Sequence, residues 1–347
     1  MLVDSPPEQR AETAPAPPSR RAIRAVGLLV SVAILVLVAL ASIAIGAKAL
    51  SMGQVWHGLF QDTGTYGDVV VADRISRTVL GLLAGAALGL AGAVLQALTR
   101  NPLADPGLLG INAGASAAVV TAITFFGVTS LSGYVWFAFA GAAVVGALVW
   151  FLGGSRGATP VRLALAGTAI SAALYGYLQA VMILDDVALS RMRFWTVGSL
   201  SSASDSAILQ VLPFIAVGTL LALSLARPLN AMEMGDDTAK ALGANLNRTR
   251  ALAMLSATVL CGAATAACGP IMFVGLMVPH VVRSFTGPDL RWILPYATIL
   301  SPVLLLGADV IGRIIARPSE LQVGIVTAII GGPVFIYLVR RRRTAQL

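Results

Sequence analysis

The chain has 347 residues, of which 57% are hydrophobic and only 12% are charged. A soluble domain carries about 25% charged residues, so this composition excludes an ordinary soluble protein and favours apolar helices packed in lipid. The formal net charge of +8 would suit nucleic acid. The basic residues, however, lie between long apolar segments, which indicates membrane topology and no nucleic-acid partner.

The N-terminal region differs in composition from the rest. Residues 1–24 contain five prolines and several charges, and we predict that they form a disordered cytoplasmic tail. The segment 25–47 is apolar and uncharged over 23 residues. A cleaved signal has an apolar core of about 7–15 residues, so this segment is interpreted as a retained first span. Residues 25–347 are therefore expected to form one transmembrane domain.

The apolar segments predict an all-α polytopic membrane protein with about ten transmembrane helices, at about 20 apolar residues per span. The segment 188–200 is too short and too charged to span, and we expect it at the membrane interface with Trp195 and Phe194 as anchors. The expected spans lie near 25–47, 77–98, 107–126, 133–153, 161–184, 206–226, 250–268, 272–286, 293–315 and 323–339.

The basic residues predict the orientation of these helices. With the N-terminus inside, the cytoplasmic segments hold seventeen of the 24 basic residues, so both termini are expected in the cytoplasm. The other seven are Lys48, Arg74, Arg77, Arg191, Arg193, Arg313 and Arg317. One block of four spans follows Arg77 and a second, of opposite orientation, follows Arg250, as in transporters with inverted repeats. A cytoplasmic loop, 227–249, separates the two blocks.

The sequence contains no recognisable catalytic or metal-binding cluster. Its two cysteines lie roughly 10 Å apart along one apolar helix, too far for a disulfide, and its two histidines are distant in sequence. Neither lysine lies in a phosphate-binding loop. We therefore expect no enzyme activity, no metal site and no cofactor here, and ATP hydrolysis must come from a separate subunit. These residues are Cys261, Cys268, His57, His280, Lys48 and Lys240.

Arginines at the expected outer surface form the first notable polar set. Arg74 and Arg77 precede the second span, and Arg313 ends the ninth, against the general charge bias. Exposed cations there would suit carboxylates of a docking protein, although arginines that anchor helix ends are the alternative. Asp309, inside the ninth span, could serve a function, or could pair with Arg313 one turn away.

Two further sets lie on the expected cytoplasmic side. The stretch 233–250 predicts a short polar helix flanked by glycines, which could receive a push from a cytoplasmic motor or could be an ordinary solvated loop. In the stretch 100–105, Pro102 breaks the helix, and this hinge is either a moving part or a tight turn. A secondary transporter with Asp105 or Asp309 as its ion site remains an alternative.

Four long motifs, taken in order, resemble the permease subunits of ABC importers for ferric siderophores, haem and cobalamin, the FecCD-like family. The similarity covers roughly Arg74 to Arg341, and one departure is Arg74-Ile75-Ser76-Arg77, where the family often has R-x-P-R. The motifs are GAVLQALTRNPLADPGLLGINAGA, GDDTAKALG, GPIMFVGLMVPHVVR and RPSELQVGIVTAIIGGPVFIYLVRRR.

This resemblance implies a multi-pass permease domain in the bacterial cytoplasmic membrane, moving a metal chelate, most often a ferric siderophore, by alternating access. It implies a second permease subunit, two cytoplasmic ATPase subunits that bind ATP and magnesium, and an extracytoplasmic substrate-binding protein. The residues matching the family's cytoplasmic gate are Asn101, Leu103 and Thr159. Those matching its ATPase-coupling helices are Gly235, Asp236, Ala239, Leu242 and Gly243, and those matching its docking arginines are Arg74, Arg77 and Arg313.

Overall fold

A computed structural model describes residues 20–61, 64–128, 130–154, 160–201 and 203–344, and these ranges contain helices and no strands. The described residues form fourteen α-helices and one 3₁₀ helix, Pro106–Leu109. The α-helices are α1 Arg20–Ala44, α2 Met52–Phe60, α3 Tyr66–Thr99, α4 Ile111–Phe126, α5 Leu131–Gly154, α6 Pro160–Leu184, α7 Asp186–Trp195, α8 Asp205–Ser224, α9 Ala226–Glu233, α10 Asp236–Ala241, α11 Leu246–Cys268, α12 Val274–Thr286, α13 Leu290–Ile315 and α14 Val323–Thr344.

The prediction of an all-α polytopic membrane protein is confirmed. Among the described residues, seven helices are long and apolar enough to cross a membrane, and each coincides with an expected span. They are α1, α3, α5, α6, α8, α11 and α13. The other three expected spans coincide with α4, α12 and α14, of 16, 13 and 22 residues. At 1.5 Å per residue, α12 is about 20 Å long, shorter than a hydrocarbon core of about 30 Å.

The longest helix, α3, begins eleven residues before its expected start. Thr65 caps its N-terminus: the Thr65 hydroxyl accepts the Asp68 amide, and the Asp68 carboxylate accepts the Thr65 amide. This reciprocal cap satisfies amides that a helix end would otherwise leave unpaired. The helix then runs for 34 residues and lies at the centre of the bundle, where it packs against α13, α11, α12 and α8.

Small residues allow α3 to approach its neighbours closely. The glycines at 85 and 89 lie against the backbone and side chains of Pro302 and Ser301 in α13. Gly92 faces α12, where a β-carbon would lie 1.9 Å from the carbonyl oxygen of Gly275. Gln96, one turn on, donates to the Leu276 carbonyl at 2.9 Å. The predicted glycine face is thus a helix-packing surface, as expected for helices in lipid.

Other expectations differ from the structure. Residues 1–19 of the expected tail lie outside the described residues, whereas Arg20–Arg24 already belong to α1. The prediction of Trp195 as an interfacial anchor is wrong, because it is only 9% exposed and packs in the core at the end of α7. The side chain of Phe194 lies outside the described part. Helix α2 was not predicted, because it has only nine residues.

We predict that Gly92→Ala lowers the thermal stability of the purified protein in detergent. The added methyl group would collide with the backbone of α12, and overpacking of this kind costs about 1–3 kcal/mol. Gly307→Ala is the matched control, since a β-carbon at Gly307 in α13 meets no atom within 4 Å. Equal unfolding temperatures for the two variants would contradict the close packing described above.

Candidate functional site

The hinge turn, residues 100–105, connects α3 to the 3₁₀ helix at Pro106. Arg100 ends α3 in the left-handed conformation, with φ 49°. The Asn101 side chain accepts the Leu103 amide at 3.0 Å, and its carbonyl accepts the Ala104 amide at 3.0 Å. Asp105 accepts the Gly107 amide at 2.8 Å and so caps the 3₁₀ helix. The turn is therefore compact, with its own hydrogen bonds.

The hinge turn presents the predicted gate residues differently. Asn101 is exposed and Leu103 is half-buried, while Thr159 lies outside the described residues. A cleft of about 380 Å³ separates the turn from α6, and its lining includes Thr99, Asn101 and Asp105. Burial raises the pKa of the Asp105 carboxyl to about 6, although the Gly107 amide lowers it.

The coupling segment, residues 226–243, consists of two short helices and not one. Helix α9 ends at Glu233, Gly235 has φ +111°, and α10 follows. In α10, Ala239 is fully buried, whereas Leu242, just beyond the helix, is 64% exposed. Gly243 then has φ +80°. Since such φ values favour glycine, the two glycines permit sharp changes of direction on either side of α10.

Charged side chains attach α10 to two other helices. Asp236, the first residue of α10, accepts hydrogen bonds from Arg100 in the hinge turn and, at 2.6 Å, from Arg250 in α11. Burial raises the pKa of Asp236, but the bonds from the two arginines outweigh it and lower the pKa overall. The sequence analysis missed this bridge, because 136 residues separate Arg100 from Asp236.

Helix α9 is attached elsewhere. Glu233 accepts a hydrogen bond from Arg283 of α12 at 2.9 Å. Asn230 donates to Asp289 at 2.7 Å and accepts the Leu290 amide at 2.9 Å, at the start of α13. The two halves of the coupling segment are therefore held by different partners: α9 by α12 and α13, and α10 by the hinge turn and α11.

The three arginines expected at an exposed surface are instead buried at the opposite end of α3. Arg74, Arg77 and Arg313 are 6%, 8% and 1% exposed, so the expectation of exposure is wrong. Arg77 donates to both oxygens of Asp309, at 3.0 and 2.7 Å, and to Glu320 at 2.6 Å. Arg313 pairs with Asp309 at 2.9 Å, as the one-turn spacing predicted.

Arg74 has different partners. It donates to the carbonyls of Ile43 and Ala44, both at 3.0 Å, and of Lys48 at 2.6 Å, all in the chain that follows α1 or ends it. Ser76, where the family pattern often has proline, donates to Asp205 at 2.8 Å and so ties α3 to α8. This bond fixes the backbone that a proline would otherwise stiffen.

These arginines line one side of a docking cleft of about 710 Å³. Three arginines and two buried or half-buried acids, Asp309 and Glu320, leave an excess of positive charge among the groups of the ion cluster. A basic, concave wall of this kind can receive carboxylates. The polar lining residues of the docking cleft are Lys48, Asp73, Arg74, Arg77, Ser201, Arg313 and Glu320.

The described residues offer little else for chemistry. Within them, no group of three or more histidine, cysteine, aspartate or glutamate side chains could hold a metal ion. Cys261 and Cys268 are both buried and unpaired with each other. The arrangement supports a transmembrane bundle with a basic cleft at one end of α3 and a jointed, charged segment at the other.

Comparison with known proteins agrees with this arrangement. The chain is 47% identical over 93% of its length to a ferric enterobactin transport permease of Escherichia coli, covering 96% of that protein. It is 40% identical over 88% of its length to an Fe(3+)-citrate import permease of Bacillus subtilis, covering 91% of it. A solved inward-facing transporter, described as of the metal-chelate ABC type, superposes with a TM-score of 0.79 at 28% identity, covering 93% of this chain and 99% of the other.

The family assignment follows from the extent of these matches. The profile of the FecCD transport family covers residues 34–341, which adds α1 to the region of resemblance and includes the hinge turn, the coupling segment and the docking cleft. The resemblance seen in the sequence motifs is confirmed: the chain belongs to the FecCD transport family, a family of membrane transport proteins.

Proposed function

We propose that this chain is the permease subunit of an ATP-driven importer that carries a ferric siderophore across the bacterial cytoplasmic membrane. The observation that supports this cargo is the 47% identity, over 93% of the chain, to a permease for ferric enterobactin. The chain itself hydrolyses nothing in this proposal. Two ATPase subunits bind ATP and magnesium, and a second permease subunit lies beside this one, with the pathway between them.

The proposed topology has ten transmembrane helices, two four-helix blocks of opposite orientation and both termini in the cytoplasm. Arg77 and Arg100, near the two ends of α3, are about 35 Å apart at 1.5 Å per residue, which matches a hydrocarbon core of about 30 Å. The coupling segment and the hinge turn then lie on the cytoplasmic side, where basic residues predominate. The docking cleft opens on the outer side.

The coupling segment is proposed to contact the ATPase through α10. Leu242 offers an exposed apolar side chain, and flanking glycines leave room for a partner on both sides of the helix. Gly235 and Gly243 have almost no neighbouring atoms within 4 Å of a built β-carbon. Movement of α10 would open or close the gate at Asn101 and Leu103, for which Thr159 is proposed as a third contributor.

The docking cleft is proposed to receive carboxylates of the substrate-binding protein. Glu320, which is exposed, already places a carboxylate on Arg77 and so occupies the position that a partner's carboxylate would take. Arg74 spends its donors on backbone carbonyls, so no acid within ion-pair distance neutralises it. Arg313 is turned towards Asp309 and Ser42, and acts in docking through the charge of the cluster.

One observation favours the alternative of an ion-coupled secondary transporter. Asp309 is held by two arginines and is a poor ion site, but the Asp105 carboxyl has a pKa raised to about 6 beside the hinge turn. A carboxyl of that kind can exchange protons near neutral pH.

We predict that Gly235→Trp abolishes capture of the ATPase subunit and chelate uptake together. The indole would fill the space beside α10, and tryptophan is strained at φ +111°. Gly127→Trp is the control, since Gly127 also has positive φ and no atom within 4 Å, but lies between α4 and α5. Capture of the ATPase from detergent extracts is the measurement. Retained capture by Gly235→Trp would refute the coupling role.

We predict opposite effects of two changes in the docking cleft. Arg74→Gln should weaken binding of the substrate-binding protein about tenfold at low salt, whereas Glu320→Gln should strengthen it by freeing Arg77. Surface plasmon resonance on the permease in nanodiscs, across a salt series, measures both. Arg248→Gln, in the exposed first turn of α11, is the control. Identical affinities for the wild type, Arg74→Gln and Glu320→Gln would remove docking from this cleft.

We predict that a strain lacking this chain loses uptake of catecholate ferric siderophores more than that of other iron sources. Radioactive iron uptake from ferric enterobactin, ferric citrate, a ferric hydroxamate and haem, with labelled cobalamin alongside, measures the preference. The same strain carrying the chain but no ATPase should take up none of them, even with an ion gradient imposed. Uptake that persists there and disappears with Asp105→Asn would establish the secondary transporter instead.

A further inference from the structure

The Asp236 carboxylate lies between the hinge turn and α11, and no other side-chain hydrogen bond among the described residues joins α10 to the hinge turn. One oxygen accepts from Arg100 and the other, at 2.6 Å, from Arg250. We propose that Asp236 is a positioning residue that transmits movement of α10 to the gate, by holding Arg100 in one state and releasing it in another. This inference rests on the proposed coupling role of α10.

The surroundings of α10 allow it to move without the rest of the coupling segment. Its preceding helix is fixed to α12 and α13 through Glu233 and Asn230. Gly235 separates the two helices, with φ +111° and no side-chain cap. A rotation at Gly235 would thus shift Asp236 while α9 stays in place.

The hinge turn is arranged to respond to such a shift. Arg100 is the residue directly before Asn101, and it is one of two non-glycine residues in the described chain with positive φ. That backbone state is unfavourable for arginine, and the bond to Asp236 helps to hold it. Release of the Arg100 side chain would therefore let the backbone next to Asn101 relax.

The charges make the bridge exchangeable. Arg100 and Asp236 have side chains that are 40% and 37% exposed, whereas Arg250 is 15% exposed. Exposed ion pairs form and break readily, while the more buried Arg250 keeps its carboxylate better. A shift of α10 towards α11 would retain the Arg250 bond and lose the Arg100 bond, which gives two discrete arrangements.

The test follows hinge movement without needing to know the cargo. A Leu103→Cys version of the complete importer, permease with its ATPase, is labelled with a water-soluble maleimide, with and without MgATP and vanadate. The chain's own cysteines, Cys261 and Cys268, are buried and should label slowly. The measured quantity is the ratio of the two labelling rates, with the rate of ATP hydrolysis recorded on the same samples.

We expect Arg100→Gln and Asp236→Asn each to reduce the nucleotide effect on labelling about fivefold, and the double variant to reduce it no further, because both break one link. Arg100→Lys should retain most of the effect, and Arg100→Gly should not, although glycine relieves the backbone. The control is Asp237→Asn, whose carboxylate pairs with Lys240 at 3.7 Å and is fully exposed. With Arg100→Gln, its effect should multiply.

Three results would overturn the bridge: no nucleotide effect on labelling of the Leu103→Cys importer, multiplicative effects of Arg100→Gln and Asp236→Asn, or the same non-additivity with Asp237→Asn. Failure of the coupling role is separate, because it appears as retained ATPase capture by Gly235→Trp. Lost capture in that variant together with multiplicative effects here would leave the coupling role intact and remove only the bridge.

Discussion

The close approach of α3 to α12 and α13 is the constraint on which the rest of the structure depends. In lipid, apolar side chains gain little by leaving one apolar environment for another, so helices associate mainly by tight packing and internal hydrogen bonds. Gly89 and Gly92 bring α3 to within backbone contact of its neighbours, and Gln96 adds a hydrogen bond to α12. The result is a 34-residue rod fixed along its middle, with the docking cleft at one end and the hinge turn at the other.

The ion cluster at the start of α3 is the second constraint. A carboxylate inside a membrane protein is costly unless it is paired, and Asp309 is paired by arginines from two helices. Removing either arginine would leave a buried charge incompletely matched. The same cluster leaves Arg74 without an acidic partner. Stability of the helix packing and the positive charge of the docking cleft thus depend on one group of side chains.

Much of the fold could be predicted from the sequence, since long apolar segments such as α5 and α13 show their length and composition directly. The early start of α3 was missed because charged residues interrupt the apolar pattern there, although Thr65 and Asp68 have the spacing of a helix cap. The break at Gly235 also had a local signal, a glycine before two acids. Local rules could locate these ends.

The candidate site was predicted as residues but not as geometry. The motifs identified the hinge turn and α10, yet the burial of Arg77 depends on Asp309, 232 residues away in sequence. The partners of Asp236 are likewise set by which helices lie side by side. A single sequence contains charge and spacing, but it does not contain the adjacency of distant helices.

The two ends of α3 differ in how their polar groups are held, and this difference indicates where movement can occur. At the docking cleft, Arg313 and Asp309 are buried, and buried ion pairs resist separation because each charge would be left in a medium of low polarity. At the hinge turn, the bond between Arg100 and Asp236 is half-exposed, and water can replace either partner. A rigid outer end and an exchangeable inner end suit a transporter that must receive a bound protein in a fixed geometry while its gate changes state.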